Sequence, residues 1–251
     1  MHGFYSPKLT PSGREVHLPA DESRHAIQVL RLGVGDQVLL LNGHGVRAEA
    51  VLDAVDYRRH TATTCRILQA VAVPRPLPHI TLFIAPPKSK NIDAVIRAAT
   101  ELGAAAIVPV LCRFGVAKPD LDTTANWTRT VIAAAKQSHN PWFPEIKAPI
   151  TFTDALKTAG AHGFFGAVPP PAGAPCPAAL TATDQQQTSL WIGPEGGLAP
   201  EELSALNAKG LQPLTVGQWI LRVETAVPAL LAVVLDRCRP LPTTPTRDTV
   251  G

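Results

Sequence analysis

The sequence predicts an α/β protein in two units: a small β-barrel first, then a larger domain whose mostly parallel sheet is covered by helices. Three observations carry this. From residue 79 onward, apolar strand-like runs alternate with helix-length amphipathic segments, which is the pattern of a parallel sheet covered on both faces. Residues 1–72 instead carry strand and turn signals with a single helical stretch. Between them lies Val73-Pro74-Arg75-Pro76-Leu77-Pro78. Proline fixes φ and removes backbone donors, so this segment suits a linker better than a helix or a central strand. The expected division is therefore 1–72, 73–78 and 79–251, with a frayed Pro/Thr-rich tail from about 239.

In the first unit, the apolar run Val38-Leu39-Leu40-Leu41 has strand character, and Asn42-Gly43-His44-Gly45 is a turn signal. Residues 46–55 partly alternate apolar with polar, so the three segments read as a β-hairpin. Residues 61–72 give another strand. Residues 23–32 have helical spacing, with Ala26, Ile27 and Leu30 on one face.

In the second unit, residues 79–85 read as a strand. Residues 91–102 form a helix whose stripe is Ile92, Val95, Ile96, Ala99 and Leu102, stopped by Gly103. A strand over 105–111 leads to a helix over 122–138, capped by Asp122 or a nearby threonine. A short helix over 153–159 precedes a strand over 163–168. Residues 169–187, biased to Pro, Ala, Thr and Gln, read as a flexible excursion. Strands follow over 189–192 and 214–216, separated by a helix that begins near Pro200 with Glu201 and Glu202 in its first turn. The last helix spans about 225–238. Pro228 is tolerable there if it falls in the first turn.

With 251 residues, 45% apolar and 17% charged, the chain is long enough for real cores and is not of disordered composition. No apolar run approaches a membrane span, and the N-terminus lacks a basic-then-apolar leader, so a cytoplasmic protein is expected. Cys65, Cys112, Cys176 and Cys238 lie far apart with no Cys/His cluster, which points to reduced thiols and to no metal. A net charge of +3 permits an RNA partner without demanding one. Candidate cationic contacts are Arg58-Arg59, Lys88 with Lys90, and Arg113 with Lys118.

Two segments hold the candidate site: Leu190-Trp191-Ile192-Gly193-Pro194-Glu195-Gly196-Gly197-Leu198 and Val216-Gly217-Gln218-Trp219-Ile220-Leu221-Arg222-Val223-Glu224-Thr225-Ala226. Each reads as a buried strand that ends in a loop and feeds a helix. Such loops, at the carboxyl ends of parallel strands, are where open α/β sheets bind ligands. Gly193, Gly196 and Gly197 let backbone approach a ligand closely, and Ile220 and Leu221 offer it apolar contacts. No G-x-G-x-x-G and no Walker lysine is present, so the loops are not of the phosphate-cradling kind. Glu195, Arg222 and Glu224 are the charged candidates. Arg222 is the best functional cation or else one half of a salt bridge to Glu224 or Glu195. Glu224 caps the last helix or takes part in catalysis, and Glu195 is the more plausible base.

The pair of motifs G-P-E-G-G and I-L-R-x-E-T-A, in this order, resembles the RsmE family of SPOUT-superfamily methyltransferases. The resemblance extends over nearly the whole chain. It takes in Arg24-His25-Ala26-Ile27-Gln28-Val29-Leu30-Arg31-Leu32 with Gly35-Asp36, Thr100-Glu101-Leu102-Gly103, Pro109 and Gln137-Ser138. It implies a PUA-like or OB-like RNA-binding barrel, a deep trefoil knot in the second domain, and a homodimer. It also implies methylation of N3 of a uridine in 16S ribosomal RNA of the small subunit, with S-adenosylmethionine (SAM) as cofactor. It places SAM against Ala167, Val168, Ile192, Gly193, Pro194, Glu195, Gly196, Gly197, Val216, Gly217, Ile220, Leu221, Arg222, Thr225 and Ala226. Arg24, His25 and Arg31 lie in the segment that it turns to RNA or the other subunit, Gln137 and Ser138 match its polar motif near the site, and Lys88, Lys90 and Arg113 join them as RNA contacts from the cationic candidates. Methyl transfer to another RNA or base atom, and RNA binding or ribosome assembly without catalysis, stay open beside it.

The chain departs from the family pattern at Gly3, where arginine is usual, and at Ala98, where lysine is common. It departs again at Lys136 for glutamate, Asn140 for arginine and Val223 for threonine. Most of these positions are expected to touch RNA or the partner subunit, which bears on which uridine is the target.

Overall fold

The computed structural model describes residues 1–55, 62–87, 91–117, 119–169 and 187–238. Arg58, Arg59, Lys88, Lys90, Lys118, Cys176, most of the expected excursion and the tail from 239 lie outside the described residues.

The first sheet has the order β1 (His2–Tyr5), β3 (Gln37–Leu41), β4 (Val46–Val55), β5 (Thr63–Ala72), β2 (Glu15–His17). The β1–β3 pair is parallel and the others are antiparallel. Alternation along β4 sends Val46, Ala48, Ala50 and Leu52 inward, as period-2 patterning requires. Phe4 of β1 and Val16 of β2 reach the same core although they lie on opposite edges, so the sheet curls round that core. Register shifts after Glu49 and Leu52 help it bend. Among the described residues no pairing joins β1 to β2, so the expected barrel is a curled sheet whose ladder does not close. The turn from β3 to β4 is held by Asn42, whose Oδ1 accepts from the N–H groups of His44 and Val46 at 2.8 and 2.9 Å.

The helix expected over 23–32 starts earlier. Its first part is α1 (Ala20–Arg24), entered from Pro19, and it widens into a π turn over His25–Val29. Arg31 then takes φ +57° and ends it. Strands β1 and β2, with four and three residues, are too short for a periodic signal in the sequence.

The second sheet is parallel throughout, in the order β12 (Gln212–Leu214), β10 (Gly163–Gly166), β11 (Gln187–Ile192), β6 (His79–Ile84), β7 (Ala106–Leu111), β8 (Glu145–Ile146). A two-residue strand β9 (Ile150–Thr151) pairs the far end of β7. One face packs on α2 (Ile92–Glu101), α3 (Leu121–Ser138) and α6 (Val223–Arg237) through Ile80, Leu82, Ile96, Trp127, Leu190 and Leu231. The other packs on α4 (Phe152–Thr158) and α5 (Pro200–Ala208), where Phe83 stacks on Trp191 at 4.3 Å and 10°. The predicted α2 stripe is buried, with Leu102 half-buried at its end and Gly103 at φ +79°. Helix α6 begins two residues before its expected start, so Pro228 is its sixth residue and lies beyond the first turn. Leu230, Leu231 and Val234 of α6 are buried, and Val233 and Leu235 pack partly on the same core.

The first sheet docks at the amino-terminal edge of the second. There the C-terminal end of α3 meets α1, through Lys136 and Glu22. Gly43 O accepts from the N–H of Phe143, and Tyr5 lies 5.2 Å from the ring of Phe143. Trp142 donates from Nε1 to Val73 O at 3.0 Å, and Arg75 sits over its ring at 5.2 Å. Two of the departures from the family pattern meet here: a β-carbon on Gly3 would lie 2.6 Å from the Lys136 carbonyl oxygen. Only glycine permits that approach. Asn140 is also internal, donating from Nδ2 to Thr100 O and accepting from the N–H of Trp142, each at 2.9 Å. All three positions make contacts within the chain.

Candidate functional site

Because the second sheet is parallel, every strand releases its chain at the same edge. β10 lies between β11 and β12, so their three exit loops are neighbours, about 5 Å apart at the strands. Two hydrogen bonds tie the edge together. Ala167 N–H donates to Leu214 O at 3.0 Å, and Ala85 N–H donates to Ile192 O at 2.9 Å. Ala167, Val168, Ile192, Gly193 and Val216 therefore sit at this one edge, as the sequence predicts.

The loop after β11 turns where Gly197 N–H donates to Pro194 O at 2.8 Å, with Gly197 at φ +79°. An L side chain there is strained, so glycine is the residue that fits. Gly193 is held by packing, since a β-carbon would lie 2.8 Å from Leu198 Cγ. Pro194 is buried, while Glu195 and Gly196 face solvent. The loop after β12 passes through Gly217 at φ +73°, exposes Gln218, Trp219 and Ile220, half-buries Leu221, and ends at Arg222.

Arg222 is the N-cap residue of α6, and its carbonyl accepts from the N–H groups of Thr225 and Ala226 at 2.9 and 2.7 Å. Its side chain is exposed and makes no ion pair among the described residues, with Glu195 or Glu224 included. Glu224 lies in the first turn of α6, where a carboxylate is favourable, and accepts from Asn91 Nδ2 at 3.1 Å. That bond joins the N-terminal ends of α2 and α6.

A carboxylate not singled out as a site residue in the sequence supports this edge from behind. Glu202 is 6% exposed; its oxygens accept from the N–H of Arg113 at 2.9 Å and the N–H of Ala199 at 2.8 Å. It thereby caps α5 and fastens the loop after β7 to the same helix. That loop presents Phe114, whose β-carbon lies 3.4 Å from where a β-carbon on Gly196 would stand. The capping signal was legible as a glutamate in the first turn after Pro200; its bond to Arg113, 89 positions away, was not. Burial and the Glu202 carboxylate push the Cys112 thiol up to about 12, so this cysteine stays protonated.

The residues expected to face RNA are dispersed. Arg24 and Arg31 are exposed, and His25 is half-buried, its ring edge-on to Phe4 at 6.3 Å. Arg113 pairs with Glu201 on the surface. Gln137 and Ser138 end α3 at the opposite edge of the sheet from the glycine loops, and Ser138 donates to Ala134 O at 2.9 Å. Gln137 lines a groove of about 510 Å³ between α2 and α3 with Arg97, Arg129, Asp93 and Glu101. Arg113 lies on the loop after β7, at the same edge as the glycine loops, while Gln137 and Ser138 lie at the opposite edge.

The fold and the loops have known counterparts. Residues 74–235 match the model of an RNA methyltransferase domain, and residues 18–56 match an RNA methyltransferase PUA domain. The chain is 34% identical over 223 residues to ribosomal RNA small subunit methyltransferase E of Synechocystis sp., covering 87% of this chain and 72% of that protein. A Legionella pneumophila methyltransferase solved with SAM bound superposes at TM-score 0.80 with 26% identity, over 96% of this chain and 99% of that one. The ribosomal RNA small subunit methyltransferase E of Neisseria gonorrhoeae, also solved with SAM, superposes at 0.80 with 25% identity over 95% and 98%. The chain belongs to the RNA methyltransferase family, among the ribosomal RNA small subunit methyltransferase E proteins.

Proposed function

We propose that this chain methylates N3 of a uridine in the 16S RNA of the small ribosomal subunit, with SAM as methyl donor, as a cytoplasmic homodimer. The observation that carries the reading is the meeting of both motif loops at one sheet edge, with an exposed arginine at the rim that makes no ion pair among the described residues. The residues fit SAM: open backbone at Gly196 and Gly197, apolar Val168, Ile220 and Leu221, and no phosphate-cradling motif. SAM supplies a methyl group on a cationic sulfur. The chain must hold the acceptor in line with it and handle the N3 proton, since the nucleophile is the deprotonated imide. Arg222 is assigned to stabilise charge on the carbonyl oxygens flanking N3. Glu195 and Glu224 are the carboxylates proposed as candidates to take a proton. The Asn91 bond holds Glu224 in place, which also suits a bracing role.

Two features support the homodimer. The PUA-like unit over 1–72 docks at the amino-terminal edge of the sheet, while the loops assigned to SAM lie at the carboxyl edge. RNA held by one cannot reach the other on the same chain without spanning the sheet, and a second copy can bring the two together. Ala226 and Val233 of α6 also keep half-buried apolar surface beyond their own core.

The trefoil knot belongs to the same reading. β12 lies outside β10, yet α6, which follows it, packs back on α2 across the sheet. Among the described residues no helix is long and apolar enough to cross a membrane.

The test is methylation of small subunits from cells lacking the protein, followed by nucleoside analysis of the 16S RNA. Appearance of 3-methyluridine at one position is expected. Methylation of another base atom would redirect the assignment, and SAM binding without transfer would replace catalysis with RNA binding. Light scattering should give a dimer at micromolar concentration.

A further inference from the structure

Three of the four tryptophans are packed. Trp127 and Trp191 are 4% and 2% exposed, and Trp142 is held half-buried by Val73 and Arg75. Trp219 is 79% exposed, and the next residue, Ile220, 77%. Both lie on the loop from β12 to α6, between Gly217 and Arg222. Phe114, Val116 and Val168 are also large, apolar and exposed, on the loops after β7 and β10 at the same edge. Isolated exposed apolar residues are ordinary, but a cluster on the loops round one site marks a surface that something covers.

We propose that Trp219 is a stacking platform for an unpaired nucleobase of the substrate RNA strand, beside the base that accepts the methyl group. The proposal rests on the function proposed above. N3 lies on the pairing edge of uracil, so the accepting uridine must be unpaired and drawn out of its stack. An aromatic face at the rim replaces the stacking that the strand loses. The segment 215–221 carries no charged residue, so it suits the face of a base and not a phosphate.

Trp219 is its own reporter. A uridine-rich single-stranded oligoribonucleotide should quench the exposed tryptophan fluorescence of the wild type, and W219F should lose that signal. In methylation of small subunits, W219A should raise KM about 5- to 150-fold, the range of one base–aromatic stack. SAM affinity and dimerisation should stay unchanged. W219F should keep most of the wild-type KM, and W219L should behave like W219A. Three results would each overturn the proposal. If W219L rescues as well as W219F, the contact is only apolar. If W219A loses SAM affinity, the residue is a cofactor wall. If W219A dissociates the dimer by light scattering, the loop is a subunit contact. A wild type that is quenched by RNA but does not methylate small subunits removes the proposed function and keeps the stacking. An active wild type without quenching removes only the stacking.

Discussion

Lys136 Nζ lies 2.8 and 3.0 Å from the two carboxylate oxygens of Glu22, joining the end of α3 to α1 across the junction of the two sheets. The pair is secluded, with Glu22 7% and Lys136 20% exposed at the side chain. Breaking a buried pair by removing one partner costs about 3–5 kcal/mol, because the remaining charge is stranded. Lys136→Ala should therefore lower stability by about 3 kcal/mol, since water reaches the lysine in part. The double variant Glu22→Gln with Lys136→Met should recover most of that loss. Urea denaturation of the three proteins checks it, and an unchanged midpoint in Lys136→Ala would show that the docking does not depend on the pair.

Gly196 should be sensitive to size and not to backbone strain. The left-handed φ in this loop belongs to Gly197, while a β-carbon on Gly196 would make an ordinary 3.4 Å contact with Phe114. Gly196→Val should thus fold, as circular dichroism will report, and its branched side chain should fill the space assigned to SAM. Calorimetry should find SAM affinity lost by about two orders of magnitude or more, the scale of a few kcal/mol of overpacking. Unchanged affinity in a folded variant would remove this loop from the cofactor site.

The parallel sheet, the α2 stripe and both motif loops were legible because periodicity and glycine chemistry are local. Strands β1, β2, β8 and β9 were not, since two to four residues carry no period and are held by pairing alone. In the site, the glycines and Arg222 could be read from their motif, while Glu202 and Asn91 act through partners 89 and 133 positions away. The intrachain contacts of Gly3, Lys136 and Asn140 were not legible for the same reason. Their contacts are long-range, and a pattern in the chain does not reveal that Gly3 lies against Lys136.

Cys65 gives a pH signature. It is fully buried in the first core, and burial alone raises its thiol from 9.0 to about 12. A thiol whose folded value exceeds its unfolded one stays protonated while the unfolded chain ionises. Its contribution is complete below about pH 9 and is lost as pH rises from 9.0 towards 12. Against a Cys65→Ala reference, which cancels other titrations, the wild type should lose a few kcal/mol across that window. A constant difference between the two proteins from pH 8 to 11 would contradict the shift. In native protein at pH 8, Cys65 should also resist a thiol-alkylating reagent.

Arg222 is the residue proposed to stabilise charge on the uracil ring. It caps α6 with its backbone, so its side chain is free of a structural task within the described residues, and it follows Ile220 and Leu221 on the loop assigned to SAM. A guanidinium stays protonated at any working pH and can present two parallel donors to a uracil oxygen and its neighbour. Removal of one preorganised donor at a developing oxyanion typically slows reaction about a hundredfold to a thousandfold. Arg222→Ala should lower the single-turnover rate on small subunits by that factor and leave SAM affinity within about threefold. Arg222→Lys should restore only part of the rate, since a point charge lacks the fork geometry. The helix should be indifferent to both changes, because the cap is made by the carbonyl of residue 222 and not by its side chain. A variant that loses SAM affinity but keeps its rate at saturating SAM would make Arg222 a cofactor ligand. One that keeps both would leave the negative charge on uracil to be stabilised elsewhere at this edge.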